Sequence, residues 1–220
     1  MAYMKIAVLI SGRGSNLQAL MAAVEAPDFP AEISLVLSNR ADAGGLEIAA
    51  AAGIDTAVIK SRDYETREEF DSAVDDRVRD SGAQMICLAG FMWLLGESFV
   101  NGWRDRLLNI HPSLLPAFKG LNVQAQAVEM GVQFSGCTVH FVRPELDDGP
   151  IIIQAVVPVL ATDDTASLSS RILEQEHIIY PMAVRWIAEG RIRVSGEKVM
   201  VDGGISNQQV LVSPMIEQPG

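Results

Sequence analysis

The sequence is poor in cysteine, aromatic residues and positive charge, and it has no long apolar run. Two cysteines in 220 residues, Cys87 and Cys137, cannot build a disulfide-stapled scaffold. Each stands in an apolar stretch, as small buried hydrophobes of a reducing compartment do. Lysine and arginine number 17 against 28 aspartates and glutamates, a net charge of −11 with histidine neutral. That balance argues against a broad basic face for nucleic acid, though a local pocket can still hold a small anion. No stretch reaches the roughly 18 uninterrupted apolar residues of a membrane span. The longest candidate, Ile151 to Ala161, is broken by Gln154 and Pro158. The run Ile6 to Ile10 is too short for a signal-peptide core and leads straight into a glycine turn. The H-E-x-x-H and paired-cysteine spacings of metal sites and the G-x-S-x-G elbow of serine hydrolases are absent. The expectation is a cytoplasmic protein that uses no metal, no membrane and no nucleic acid.

What is present is globular: 49% hydrophobic and 20% charged residues. Strand-like and helix-like segments alternate. Lys5 to Ile10, Glu32 to Ser38, Asp55 to Ile59 and Gln84 to Ala89 read as strands. Ser15 to Glu25, Gly44 to Ala52 and the charged, amphipathic Glu65 to Arg79 read as the helices between them. This spacing predicts βαβ units and a mostly parallel sheet with helices on both faces. Beyond it, Arg106 to His111, Phe134 to Arg143 and Pro150 to Val159 read as strands, the last two as antiparallel neighbours. Thr165 to Glu189 is a long helix containing Pro181, and Arg191 to Val201 a small hairpin. The fold class is α/β and Rossmann-like with a mixed C-terminal extension. We expect one domain over residues 1–205, with halves meeting near 105/106, and a loose tail over 206–220.

Three places carry chemistry. Ser11-Gly12-Arg13-Gly14-Ser15-Asn16 joins the first strand to the first helix. Ser15 and Gln18 have capping-box spacing, with Ser15 as N-cap. A glycine turn at a helix N-terminus suits a phosphate; it also suits an ordinary tight connection. A dinucleotide fingerprint fits poorly, because Leu17 takes the third glycine position and the second strand ends in Ser38-Asn39-Arg40, with no acidic residue there for a ribose.

Leu108-Asn109-Ile110-His111-Pro112 is the strongest signal. Residues two apart on a strand share a face, and Pro112 ends the ladder. Asn109 and His111 therefore project together at the carboxyl end of a strand, where open α/β sheets bind ligands. An amide beside an imidazole can stabilise an oxyanion and exchange protons; a hydrogen-bonded structural histidine is the competing reading. In Glu145-Leu146-Asp147-Asp148-Gly149, either Asp147 or Asp148 could pair with His111 and hold it protonated. Spacing alone does not choose between them. The three histidines, His111, His140 and His177, are too scattered in sequence to define a site by spacing alone.

The long helix adds a third place. Leu168, Ile172, Ile179, Ala183 and Trp186 form its apolar face at about 100° per residue. Glu176 falls at the edge of that face, where a carboxylate wants a partner. His177 points towards solvent.

Five segments in order, S-G-R-G-S-N, L-A-G-F-M, L-N-I-H-P-S-L-L-P, T-V-H-F-V with E-L-D-D-G-P-I-I, and Q-E-H-I-I-Y-P, closely resemble the phosphoribosylglycinamide formyltransferase family of purine (IMP) synthesis. The resemblance runs from about Lys5 to about Val201. It implies a Rossmann-like nucleotide-binding half and a C-terminal half shaping a folate pocket. It implies direct transfer of the formyl group of 10-formyltetrahydrofolate to the amine of glycinamide ribonucleotide. It implies Asn109, His111 and Asp147 as the catalytic three, Asp147 matching the family's Asp-x-Gly pattern. Gly14, Ser15 and Asn16 would hold the phosphate, and Glu176 the amine end of the substrate. Arg67, Asn109 and the backbone of Met92, Trp93, Leu94 and Leu95 would meet the folate, the co-substrate.

The chain departs from the family at three points. Trp93 stands where relatives often have arginine. The stretch Lys119-Gly120-Leu121-Asn122 lacks a histidine that some relatives carry. Leu173 replaces a polar or basic residue, with Arg171 as a substitute phosphate ligand. Methionyl-tRNA formyltransferases share the core, but the chain is too short and acidic to match them. Formyltetrahydrofolate hydrolases share it too, with an N-terminal regulatory domain for which no room precedes residue 11. A nucleotide-binding module without catalysis would leave Asn109, His111 and Asp147 without a shared purpose. Both a monomer and a homodimer fit the sequence.

Overall fold

A computed structural model describes residues 3–204 and 211–213. Seven strands form one sheet: β1 (Met4–Ile10), β2 (Ala31–Ser38), β3 (Thr56–Val58), β4 (Met85–Leu88), β5 (Leu107–His111), β6 (Phe134–Phe141) and β7 (Ile151–Pro158). Their spatial order is β3-β2-β1-β4-β5-β6-β7. The first five run parallel, and β6 and β7 are antiparallel to their neighbours. A separate hairpin pairs β8 (Ile192–Ser195) with β9 (Lys198–Val201).

The continuous apolar run of β1 is explained by burial on both sides. Ile6, Val8 and Ile10 face a core shared with α1 (Ser15–Val24), α2 (Gly44–Ala51), α5 (Val123–Glu129) and α6 (Thr165–Ala188). Ala7 and Leu9 face the opposite core, built with α3 (Arg67–Asp80) and α4 (Glu97–Gly102). The expected apolar face of α6 packs inward: Leu168, Ile172, Ile179 and Ala183 are buried and Trp186 is half-buried. Helix α6 continues through the buried Pro181.

The strands and long helices fall within a few residues of the sequence expectation. Two short helices, α4 and α5, are additions. At six and seven residues they span fewer than two turns, too short to show a helical apolar period. Among the described residues, no helix is long and apolar enough to cross a membrane. Most of the tail expected over 206–220 lies outside the described residues.

Candidate active site

One row of backbone partners crosses four strands. Leu9 of β1 pairs with Leu88 of β4, Leu88 with Asn109 of β5, and Asn109 with His140 of β6. The loops after β1 and β4 and the last residues of β5 therefore open at one end of the sheet. With neighbouring strands about 4.8 Å apart, the β1 loop lies on the order of 10 Å from the end of β5.

The β1 loop enters α1 through Gly14, the N-cap residue, at φ 81°. This corrects the capping-box expectation: Ser15 is the first helical residue, and no side chain caps the helix. The reason is a close approach. A Cβ on Gly14 would lie 2.8 Å from Gly45 Cα, and Gly45 N–H donates to Gly12 O at 3.2 Å. The glycine that the dinucleotide motif places on α1 has a counterpart here on α2. With no side-chain cap, the first N–H groups of α1 keep their donor capacity for an anion. Ser11 faces the other way, accepting Met92 N–H at 2.7 Å and donating to Asn39 Oδ1 at 2.6 Å.

Glu176 is 6% exposed, and its Oε2 accepts from Asn16 Nδ2 at 2.7 Å. Burial pushes its carboxyl above the usual glutamate value, against the opposing hydrogen bond from Asn16. Asn16 Oδ1 is buried with no partner. The two residues thus form a polar pair with spare hydrogen-bonding capacity beside the uncapped helix end.

Asn109 and His111 do share a face of β5, while Ile110 joins the core on the other side. His111 is buried, with Nδ1 3.4 Å from Asp147 Oδ1 and Nε2 2.9 Å from Phe118 O. Both ring nitrogens therefore meet oxygen acceptors. Asp147 Oδ2 accepts Gly120 N–H at 2.7 Å. Asp148 turns outward to Lys119 Nζ at 3.0 Å. Asp147 sits at φ 44°, a left-handed conformation that directs its carboxylate inward while its neighbour is displaced to solvent.

His140, which spacing left unassigned, belongs to this cluster. It is almost wholly buried, and burial lowers its pKa, so it is neutral near pH 7. Its Nδ1–H donates to Phe141 O at 3.0 Å, which leaves Nε2 to accept from Asn109 Nδ2 at 3.3 Å. Asn109 is thereby oriented, with a second amide hydrogen left over. The Asp147 and His111 charges also act on His140, in opposite directions. The T-x-H pattern of Thr138 and His140 on β6 was the available signal. Thr138 Oγ1 donates to Ser113 O at 2.7 Å and accepts Leu115 N–H at 3.1 Å, bracing the loop after β5.

The β4 loop carries Met92 to Leu95. Met92 and Leu94 are exposed. Arg67 Nε–H donates to Leu94 O at 3.1 Å. Trp93 folds back onto α3, its ring 4.8 Å from that of Phe70. Two further expectations are corrected. Arg171 is committed to Asp163 at 2.7 and 2.9 Å and to Pro158 O at 2.9 Å, so it is no free phosphate ligand. His177 is half-buried rather than solvent-facing, its Nε2 buried and its pKa lowered by burial. Among the described residues, no group of three His, Cys, Asp or Glu side chains could hold a metal ion.

Comparison with known proteins places this geometry. Residues 4–184 match the Formyl transferase family model. The chain is 44% identical over 200 residues to the phosphoribosylglycinamide formyltransferase of Escherichia coli, covering 91% of this chain and 94% of that protein. It is 48% identical over 190 residues to the human trifunctional purine biosynthetic protein adenosine-3, covering 86% of this chain. It spans only 19% of that larger protein's length. Among solved structures, glycinamide ribonucleotide transformylase 1 from Symbiobacterium toebii superposes with a TM-score of 0.89 at 47% identity, covering 91% of this chain and 94% of that one. The chain therefore belongs to the formyl transferase family, in its phosphoribosylglycinamide formyltransferase branch.

Proposed function

We propose that this enzyme transfers the formyl group of 10-formyltetrahydrofolate to the amine of glycinamide ribonucleotide, a step of purine biosynthesis. The observation that carries the reading is the meeting of Asn109, His111, Asp147 and His140 beside an uncapped helix N-terminus. Residues 1–205 act as one catalytic unit in it.

The N–H groups at Gly14, Ser15 and Asn16 hold the substrate phosphate. Glu176, fixed by Asn16, accepts hydrogen bonds from polar groups further along the ligand, its amine end included. About 10 Å of sheet between the cradle and β5 suits a sugar and a short amide arm. The folate lies against the backbone of Met92 to Leu95 with Arg67 at its acidic end. The exposed Met92, Leu94, Leu121 and Leu146 provide an apolar wall that such a heterocycle needs.

The amine nitrogen forms a bond to the formyl carbon, and the carbonyl electron pair moves onto oxygen. The spare amide hydrogen of Asn109 donates to that oxyanion, joined by the Nε2–H of a protonated His111 as it turns from Phe118 O, its partner at 2.9 Å in the free protein. Asp147 stabilises the charge on His111. The carbon–nitrogen bond to the folate then breaks, and the proton lost by the amine is delivered to the folate nitrogen through His111 or water.

A formyl-transfer assay with both substrates tests the reading. His111→Ala should lower kcat far more than it weakens binding of either ligand. Near-normal turnover in that variant would remove His111 from the mechanism. Folate deformylation without the amine would instead identify a hydrolase, and binding without turnover a nucleotide-binding module.

A further inference from the structure

The β4 loop is held from two sides, and one residue of the outer side belongs to no role above. Asp71 of α3 is 6% exposed. Its Oδ2 accepts Gly96 N–H at 2.7 Å, and its Oδ1 accepts the Trp93 indole N–H at 3.3 Å. A Cβ on Gly96 would lie 2.8 Å from Asp71 Oδ2, so glycine is what lets the backbone come this close. Phe70, one residue earlier, packs on the Trp93 ring. Arg67, one turn earlier, holds Leu94 O. From the inner side, Ser11 holds Met92 N–H. Together these contacts fix the loop at Met92, Trp93, Leu94 and Gly96. They leave the backbone N–H and C=O groups of Trp93 and Leu95 without partners among the described residues.

We infer that Asp71 and Trp93 form a clip that positions the Met92–Leu95 backbone for the folate heterocycle. Both are positioning residues, and the inference rests on the folate reading above. A pterin edge presents donors and acceptors in fixed order, so a backbone strip reads it well only if pre-set. The clip works through a single buried carboxylate with two acceptor oxygens, one for the loop backbone and one for the loop's own side chain. The Trp93 indole keeps the second carboxylate oxygen hydrogen-bonded.

Three variants test the clip. Trp93→Phe keeps the ring on Phe70 and removes the N–H; Asp71→Asn keeps the size of the side chain and removes the charge; the third combines both. Losing one such hydrogen bond corresponds to about 3- to 10-fold in affinity. Trp93→Phe should raise the KM for 10-formyltetrahydrofolate by about that factor, with kcat and the KM for glycinamide ribonucleotide within about twofold. Asp71→Asn should raise the folate KM more. The double variant should fall short of the product of the two single effects, because both act through one carboxylate.

A second measurement is independent of catalysis. Amide hydrogen exchange in the free protein should speed up at residues 92–96 in Asp71→Asn and stay unchanged at the β1 loop. An unaltered folate KM in Trp93→Phe, or equal rises in both KM values, would overturn the clip. So would unaltered exchange at residues 92–96 in a folded Asp71→Asn protein. If wild-type protein transfers no formyl group, the folate reading fails, and exchange still decides whether the clip exists.

Discussion

Asp147→Asn is the sharpest test of how the site works. Asparagine tolerates the left-handed φ of 44° at this position. Its amide oxygen can still accept Gly120 N–H, which Asp147 Oδ2 now does at 2.7 Å. The turn should therefore keep its shape. What changes is the face turned to His111, where a carboxylate oxygen 3.4 Å from Nδ1 is replaced by an NH2 group that only donates. Hydrogen bonds to charged groups contribute about 1.5–3 kcal/mol, so kcat should fall roughly 10- to 150-fold. Asp148→Asn is the control. Its partner Lys119 lies 3.0 Å away and both side chains are substantially exposed, a pairing that contributes about 0–1 kcal/mol. Turnover there should stay within about twofold. Steady-state formyl transfer at saturating substrates reads both variants, with thermal melts to verify folding. A larger loss in Asp148→Asn, or wild-type kcat in Asp147→Asn, would refute the assignment of the inner carboxylate.

Three more outcomes follow from burial and backbone geometry. The raised pKa of Glu176 means that the folded state holds this proton more tightly than the unfolded chain. Its charged form therefore costs stability as pH rises from the ordinary value of 4.5 through the raised one. Glu176→Gln should melt higher than wild type at about pH 8, with the gap closing towards about pH 4, while formyl transfer falls; a gap that widens on acidification would contradict the burial argument. Gly14→Ala forces an alanine to φ 81° and a Cβ to 2.8 Å from Gly45 Cα. Urea denaturation should show a loss of at least about 1–2 kcal/mol, and an unchanged midpoint would mean the Gly14–Gly45 contact is not tight. Burial pushes the Cys87 and Cys137 thiols up to about 12. A thiol reagent should therefore label neither in the folded protein and both after unfolding; rapid labelling of either native thiol would show the core to be open there.

Much of this was legible in the sequence, and what was not has a common cause. The Asn109–His111 pair could be read because strand periodicity and Pro112 are local facts. So could Glu176, placed at the edge of an apolar face and found buried there. The capping box at Ser15 misled because Gly45, a residue of another helix, sets where α1 begins. Asp147 and Asp148 could not be told apart by spacing. The difference is one left-handed residue and a lysine from the loop after β5 that draws Asp148 outward. His140 was missed because the pairing of β5 with β6 closes over the long segment holding α5, and only that pairing sets it opposite Asn109. Asp71 and Trp93 meet only because the β4 loop folds back on the preceding helix. Local periodicity reports which face a residue takes; it does not report which distant face it meets.

The strand order explains why these pieces meet at all. Because β4 lies between β1 and β5, the carboxyl ends of three adjacent parallel strands deliver the Gly14 loop, the Met92–Leu95 loop and the Asn109–His111 pair side by side. A sheet parallel throughout would continue with another strand running the same way, whose residues level with Asn109 would again lead into a loop. Here β6 runs antiparallel, so the sheet supplies His140 and Thr138 from within a strand, held by a ladder on both sides. In the proposed mechanism the groups that bind ligands sit on loops, whereas those that orient Asn109 and brace the loop after β5 sit on strands. The change of direction between β5 and β6 is thus the feature that gives the crevice at the strand ends an amide and an imidazole in fixed register.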